Sequence, residues 1–448
     1  MMVNSFWNAA QGNMFYSPYV GMSYPFGNHF CPLVLLLFPV YWLVSSAYTL
    51  LFCQSLLIGA SGLPFYLLAR RVHGDTRVAG LLTAAYLFYP TVVTNHVDQI
   101  HFEPLALPFL VGAAYFFFAE RFWYFTGFAV LGMMGQENLP LTVGMFGVYA
   151  AVMRRNLKWI GTPLLLALVY GLLVFKVALP YFTQGAGYVP AHYFGPLGDT
   201  PGDVIKTMVT KPFKVLEQVF QFDRGIYIVQ VLQPLLWVVP LLAWELILVA
   251  PSLGINLVVN EAAFRTIPWH YGATVGAFLC VAMLFGMKRL ATLLERRWKI
   301  ASAQFALALA VGAVSISSWI MWLNIGEYIP HGYFPTLRRA AEQIPPEKSV
   351  VAPSTMLAHF AGREHPFHLM QFDPRLSMSA TWPREKLYTM DYVILDGNER
   401  RFPMELVTRD LVMSFHTNLN YELIFNDKNV FVYRKRDPLA LAPGGLNR

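Results

Sequence analysis

Long apolar runs separated by short polar stretches fill the first 320 or so residues of the chain. A membrane-spanning helix needs about 20 mostly apolar residues, and the pattern predicts about ten such helices between residues 46 and 324. Several runs are short and interrupted by Pro or Gly, which a bilayer tolerates only where neighbouring helices cover the freed backbone groups. The fold class predicted is therefore an α-helical polytopic membrane protein, in which residues 1–45 form an outside loop with juxtamembrane helices.

The pattern changes after residue 325. A helical stretch, LRRAAEQI, is followed by three β-rich runs with charged punctuation, SVVAPSTM, MDYVILDG and ELIFNDKNVFVYRKR. The last run contains Asn, Asp, Lys and Asn at 426–429, residue types that favour a hairpin turn. Residues 325–448 are therefore predicted to form a small soluble α/β domain.

Charge indicates the sides of the membrane. Only 13% of the residues are charged and 56% are hydrophobic, which is typical of membrane proteins. The net charge of +7 lies in short clusters between apolar runs, a distribution that sets topology and does not suggest nucleic acid as a partner. The basic loops 70–77, 154–158 and 288–299 are assigned to the cytoplasm. Alternation then assigns the loop at 95–104, the long loop or lid 180–225, the loop 260–271 and the C-terminal domain to the outside.

The outside loop NHVDQIHFEP (95–104) is unusually rich in ionisable groups. Asp98, His101 and Glu103 offer the nitrogen and oxygen donors that a divalent cation accepts. Alternatively, Asp98 or Glu103 could act as a general base, because an apolar wall raises the pKa of a carboxyl group. A third interpretation is a solvated connection in which Glu103 caps a helix. These alternatives stay open.

Two more outside positions carry candidate chemistry. Glu137 lies in GQEN at the next helix junction. Arg265, in NEAAFRTIPWHY, is either an anion clamp or the partner of Glu261 in a salt bridge. Charges are absent from the middle of nearly all apolar runs, with Lys176 and Glu245 as exceptions, which argues against an ion pathway.

Motifs along most of the chain resemble those of a prokaryotic family of polytopic membrane proteins of unknown function. They include GNHFCPLVLLLFPVY (27–41), DQIHFEPLALPFL (98–110), GQENLPL (135–141), NEAAFRTIPWHY (260–271) and DYVILDG (391–397). The family in turn distantly resembles the GT-C glycosyltransferases, membrane enzymes that take sugars from lipid-phosphate donors. Members of the family generally begin with a transmembrane helix and an acidic loop, so we expect these to precede Met1; the alternative is that the apolar run 30–44 spans the membrane and Met1 is cytoplasmic.

The candidate site residues come from two sources: the resemblance implies His29, His101, Glu103, Glu137, His270 and Tyr271, and the chemistry of the outside loops adds Asp98, Arg265 and the cation ligands. The catalytic candidates are Asp98, Glu103 and Glu137. The substrate-binding candidates are His29, His101, Arg265, His270 and Tyr271. Asp98, His101 and Glu103 are the candidate ligands of a divalent cation.

The function implied is transfer of a sugar from a polyprenyl-phosphate donor at the extracytoplasmic face of a prokaryotic cytoplasmic membrane. Membrane lipids and a polyprenyl-phosphate sugar are the expected partners. The alternative is a non-catalytic scaffold or accessory subunit that binds protein subunits of a larger membrane assembly. A transporter would need an internal polar route, which the apolar runs do not indicate.

Overall fold

The structure is a computed structural model that describes residues 1–17, 22–96, 99–183, 193–195, 197–198, 200–299, 302–322, 332–363, 366–372, 382–398 and 404–437. The chain divides into two compact units. One unit comprises Pro25–Tyr328, and the other combines Met1–Tyr24 with Ile329–Arg448. The N-terminal residues thus belong with the C-terminal ones, a grouping across more than 300 residues that the sequence pattern does not reveal.

The unit Pro25–Tyr328 is helical. Within the described residues, three helices are long and apolar enough to span a membrane on their own: Ala47–His73, Leu157–Phe182 and His270–Trp298. The pair Thr76–Leu87 and Pro90–His96, bent by 60°, makes a fourth if it is one span. Shorter apolar helices are Leu107–Phe118, Phe122–Met133, Leu139–Val152, Trp244–Val258 and Ala303–Ser318. The breaks fall where the sequence has Pro and Gly, as expected for helices covered by their neighbours.

The individual α-helical segments of this unit have the following bounds. They are Phe38–Leu43, Ala47–Ala60, Gly62–His73, Thr76–Leu87, Pro90–Val93, Phe102–Leu105, Leu107–Phe118, Phe122–Met133, Leu139–Val152, Leu157–Leu173, Leu179–Phe182, Pro201–Thr210, Pro212–Val219, Phe222–Leu232, Ala250–Val258, Ala273–Trp298 and Ala303–Trp322. Short 3₁₀ turns connect several of them: Pro32–Leu36, Thr94–His96, Gln233–Leu235, Pro240–Leu242, Trp244–Val249, Ala262–Arg265 and His270–Gly272.

The lysine-rich part of the segment 180–225 forms two helices, Pro201–Thr210 and Pro212–Val219, which break at Lys211. Their inward side chains pack with Leu197 and Val258. Phe213 and Phe220 remain more than four-fifths exposed. This amphipathic pattern is typical of helices that lie along a membrane surface. Residues 184–192, 196 and 199 of the predicted lid lie outside the described residues.

Glu245 shows why a charge in an apolar run need not mark an ion route. Its carboxylate accepts hydrogen bonds from Tyr149 Oη at 2.8 Å and from Arg289 at 3.0 and 3.3 Å. Arg289 follows 44 residues later in the chain, so this partner is not evident from the sequence. A buried carboxylate that keeps a cation and a hydroxyl donor is satisfied as a structural group.

The other unit contains a five-stranded mixed sheet. Two short strands, β1 (Tyr16–Ser17) and β2 (Met22–Ser23), pair with each other outside this sheet. The strands of the five-stranded sheet are β3 (Val350–Ala352), β4 (Pro366–His368), β5 (Tyr392–Asp396), β6 (Tyr421–Asp427) and β7 (Val430–Lys435). Their order in the sheet is β4-β3-β5-β7-β6. The helices are Met2–Ala10, Phe334–Glu342, Arg384–Leu387 and Met404–Thr417, with 3₁₀ turns at Ser354–Phe360 and Leu369–Gln371.

Both predictions about this unit's C-terminal part are confirmed: it is α/β, and it ends in a hairpin. Strands β6 and β7 pair antiparallel around Lys428 and Asn429. Both turn residues have positive φ, 45° and 60°, which is the backbone that a two-residue hairpin loop requires. The N-terminal helix joins this unit because the Asn4 amide donates to the carbonyls of Ala361 and Arg363, at 2.8 and 3.2 Å.

Candidate functional site

Glu137 and His29 form a polar contact in the helical unit. Glu137 lies in the turn between the helices Phe122–Met133 and Leu139–Val152. Its Oε1 is 2.8 Å from His29 Nδ1, and its Oε2 accepts the Phe30 backbone N–H at 3.0 Å. A carboxylate only accepts hydrogen bonds, so Nδ1 of His29 is the donor, and in the neutral imidazole Nε2 then presents a lone pair. The His29 side chain is 18% exposed and that of Glu137 is 2% exposed, so His29 is the accessible member of the pair.

Backbone contacts bring these two residues together. The Leu33 N–H donates to the Met134 carbonyl at 3.1 Å, which ties the segment after His29 to the end of the helix before Glu137. Gly135 permits a second close approach, because a Cβ there would lie 2.4 Å from the Cβ of Ala106. The absence of a side chain at Gly135 therefore lets the Glu137 turn pack against the Glu103 segment.

Glu103 lies in the first turn of the helix Phe102–Leu105, as the sequence predicts, and is 4% exposed. Its Oε1 accepts the backbone N–H of Thr274 at 2.9 Å, at the start of the long helix Ala273–Trp298. Burial raises the pKa of Glu103 to about 7, although the Thr274 hydrogen bond opposes the shift; the charge of Glu137 raises it further and that of His29 lowers it. Glu103, Glu137 and His29 thus interact electrostatically.

A series of ring contacts connects the residues just before Glu103 to the loop 260–271. The rings of His101 and His270 are nearly parallel, with centroids 3.5 Å apart. His270 contacts Tyr271 at 4.0 Å, and Tyr271 stacks on Phe264 at 3.8 Å. The ring of His29 meets Phe102 edge-on at 5.4 Å. The candidates His29, His101, Glu103, Glu137, His270 and Tyr271, which are distant in sequence, therefore converge in one region of the helical unit.

Arg265 is held in a network of its own. Its Nε donates to Asp223 at 2.8 Å, and its other donors reach the carbonyls of Val259 and Asn256 at 2.6 and 3.2 Å. Arg224 binds the same carboxylate at 2.8 Å. Burial opposes ionisation of Asp223, but the hydrogen bond from Arg224 and the charge of Arg265 outweigh it and lower its pKa.

These contacts stabilise the C-terminal end of the helix Ala250–Val258, where unpaired carbonyls need donors. The salt bridge predicted for Arg265 with Glu261 is replaced by one with Asp223, 42 residues earlier in the chain. The anion-clamp role of Arg265 stays a prediction that these contacts do not support.

Arg265→Met should lower the free energy of unfolding by about 1–3 kcal/mol, because several buried acceptors lose a charged donor. Thermal unfolding of the detergent-solubilised protein measures this effect. Arg338→Met is the matched control, since its ion pair with Glu342 is exposed and contributes little. Unchanged stability of Arg265→Met, combined with weaker binding of a lipid phosphate, would favour the anion clamp instead.

The predicted cation site receives no support from the described residues. They contain no group of three or more His, Cys, Asp or Glu side chains that could hold a metal ion. The His101 ring stacks on His270, and Glu103 binds the Thr274 amide, so these two predicted ligands have other partners. Asp98, the third predicted ligand and a predicted base, lies outside the described residues, and its roles stay predictions.

The chain has a GT-C-like fold. A solved structure that is similar over most of its length is the crystal structure of ArnT from Cupriavidus metallidurans bound to undecaprenyl phosphate. It matches with a TM-score of 0.53 and 12% sequence identity, covering 98% of this chain and 94% of that chain. The protein is thus a multi-pass membrane protein of the GT-C-like fold class, which confirms the predicted fold.

Within this class, the chain belongs to the family described as predicted membrane protein, DUF2079, whose profile matches residues 1–432. The family predicted from the motifs is therefore confirmed. A search of curated proteins gave no match.

Proposed function

We propose that the protein transfers a sugar from a polyprenyl-phosphate donor to an acceptor hydroxyl, with His29 as the general base. The hydrogen bond between His29 Nδ1 and Glu137 is the observation that carries this proposal, because it presents Nε2 of a partly exposed imidazole as a proton acceptor. The GT-C fold and the undecaprenyl phosphate in the ArnT crystal structure support a polyprenyl-linked donor. The proposed site lies at the extracytoplasmic face of the cytoplasmic membrane.

The chemistry is a single displacement. The acceptor oxygen attacks the anomeric carbon while the bond from that carbon to the phosphate oxygen breaks, and the acceptor proton passes to His29 Nε2. The polyprenyl phosphate leaves with the bonding electron pair, and the configuration of the anomeric carbon inverts. Glu137 holds the imidazole in the required tautomer and stabilises the imidazolium, as the carboxylate does in a catalytic triad.

Glu103 adds a second carboxylate beside His29. Its charge interacts with that of His29, so an ionised Glu103 stabilises the imidazolium that forms during the reaction. Its hydrogen bond to the Thr274 amide fixes the carboxylate at the start of a 26-residue helix. The sequence favoured Asp98 or Glu103 as the base. We propose His29 instead, because it is more exposed than Glu103 and has a carboxylate partner.

The test is an assay of the purified protein in nanodiscs with a panel of radiolabelled polyprenyl-phosphate sugars and a membrane lipid extract as the source of acceptors. We expect release of free polyprenyl phosphate and labelling of one acceptor for at least one donor. If no donor in the panel is consumed, and the protein instead copurifies with a stoichiometric membrane partner, the scaffold alternative gains the support and the enzyme proposal fails.

A further inference from the structure

Gln54 is a buried amide in the first half of the membrane-spanning helix Ala47–His73, where its side chain is 1% exposed. Its Nε2 donates to the carbonyls of Asn95 and Gln99 at 2.8 and 3.2 Å. Its Oε1 accepts the backbone N–H of His101 at 2.7 Å. One side chain therefore uses both of its donors and its acceptor on the backbone of a single loop.

We propose that Gln54 is a positioning residue that sets the places of His101 and Glu103 in the candidate site. The His101 N–H that Gln54 binds lies immediately before the helix Phe102–Leu105, whose first turn carries Glu103. His101 has extended backbone, with φ −129° and ψ 158°, so its amide has no partner inside that helix. Gln54 supplies the partner and thereby determines where the helix begins.

Two side chains of the site depend on this starting point. The His101 ring stacks on His270 with centroids only 3.5 Å apart, a contact that a small displacement of the loop removes. Glu103 follows two residues later and must reach the Thr274 amide. A polar side chain buried in an apolar span is costly unless all its hydrogen bonds are satisfied, and among the described residues the partners of Gln54 all belong to this loop. The inference rests on the proposed function for its catalytic consequence, but its structural part can be tested without activity.

Gln54→Met keeps the length and burial of the side chain while removing all three hydrogen bonds. Hydrogen exchange followed by mass spectrometry on the full-length protein should show exchange faster by about 5- to 100-fold in the peptide that contains the His101 amide, given the usual strength of a buried hydrogen bond. Ser55→Ala, a polar-to-apolar change one residue along the same helix, is the control and should leave that peptide unchanged.

The catalytic readout uses the donor that the wild-type protein consumes. Gln54→Met should lower kcat by about 10- to 100-fold, because a small misplacement of catalytic groups slows the chemical step. The KM for the donor should change much less. Gln54→Glu provides a rescue that depends on pH. A protonated glutamic acid can accept from His101 and donate to one loop carbonyl, so its kcat relative to wild type should rise as the pH falls, and that of Gln54→Met should not.

The outcomes separate this inference from the proposed function. Unchanged exchange at His101 in Gln54→Met overturns the inference. Faster exchange with wild-type kcat in an active enzyme also overturns it, because the loop would then be held for stability alone. If the wild-type protein consumes no donor, the proposed function fails, and the exchange result by itself decides whether Gln54 holds the loop.

Discussion

Glu137→Gln should lower kcat for sugar transfer by about 10²- to 10⁴-fold, the usual contribution of an oriented general base. The amide is nearly isosteric with the carboxylate and can still accept the Phe30 N–H. It can also donate its own N–H to His29 Nδ1, which favours the tautomer with the proton on Nε2. The imidazole then has no lone pair facing the acceptor, and the imidazolium loses its neighbouring negative charge.

His29→Gln should have an effect of similar size, and the double variant should be little worse than either single one, because both changes disable the same unit. Glu217→Gln, an exposed carboxylate on the helix Pro212–Val219, is the matched control and should retain wild-type kcat. Thermal unfolding of each variant separates lost chemistry from lost folding. Additive losses in the double variant would contradict the assignment of His29 and Glu137 to one proton-accepting unit.

The second large effect concerns pH. Burial raises the pKa of Glu103 to about 7, so the carboxyl is mostly protonated below that pH and mostly ionised above it. The proposed reaction uses the ionised form to stabilise the His29 imidazolium. The transfer rate of the wild-type protein should therefore increase as the pH rises through about 7.

Glu103→Gln should lower kcat above pH 7 by about 10- to 100-fold, which corresponds to the loss of one preorganised charge. It should also remove the part of the pH profile that Glu103 produces, leaving a rate that varies less between pH 6 and pH 8. The measurement is kcat across this pH range for both proteins. Because neighbouring groups titrate together, the profile reports the whole cluster. A Glu103→Gln variant with the wild-type rate and profile would exclude a catalytic role for this carboxylate.

The general architecture could be predicted because it follows from local patterns. Apolar runs interrupted by Pro and Gly predicted the membrane helices, and the turn-forming residues 426–429 predicted the hairpin of β6 and β7. The motifs around His29, Glu103 and Glu137 indicated the family, and the structure brings these residues together. Their chemical roles remain proposals.

The partners of the polar residues could not be predicted, because they depend on tertiary packing. Arg265 binds Asp223 rather than the nearer Glu261, and Glu245 binds Arg289 from a different helix. Gln54 gave only the weak signal of a lone amide in an apolar run. Asn4 binds the carbonyls of Ala361 and Arg363, which lie 357 and 359 residues further along the chain, and no local pattern indicates such a contact.

The most direct test of the central claim is a cryo-electron microscopy map of the protein in nanodiscs with undecaprenyl phosphate. The account predicts phosphate density in the region where His29, His101, Glu103 and His270 converge, separated from His29 Nε2 by the space that the sugar and the acceptor hydroxyl would occupy. Phosphate density at a different place would contradict the account. One such place is the pocket of about 230 Å³ that Arg77 and Glu295 line. A region around His29 that stays empty while the lipid saturates the protein would contradict it as well.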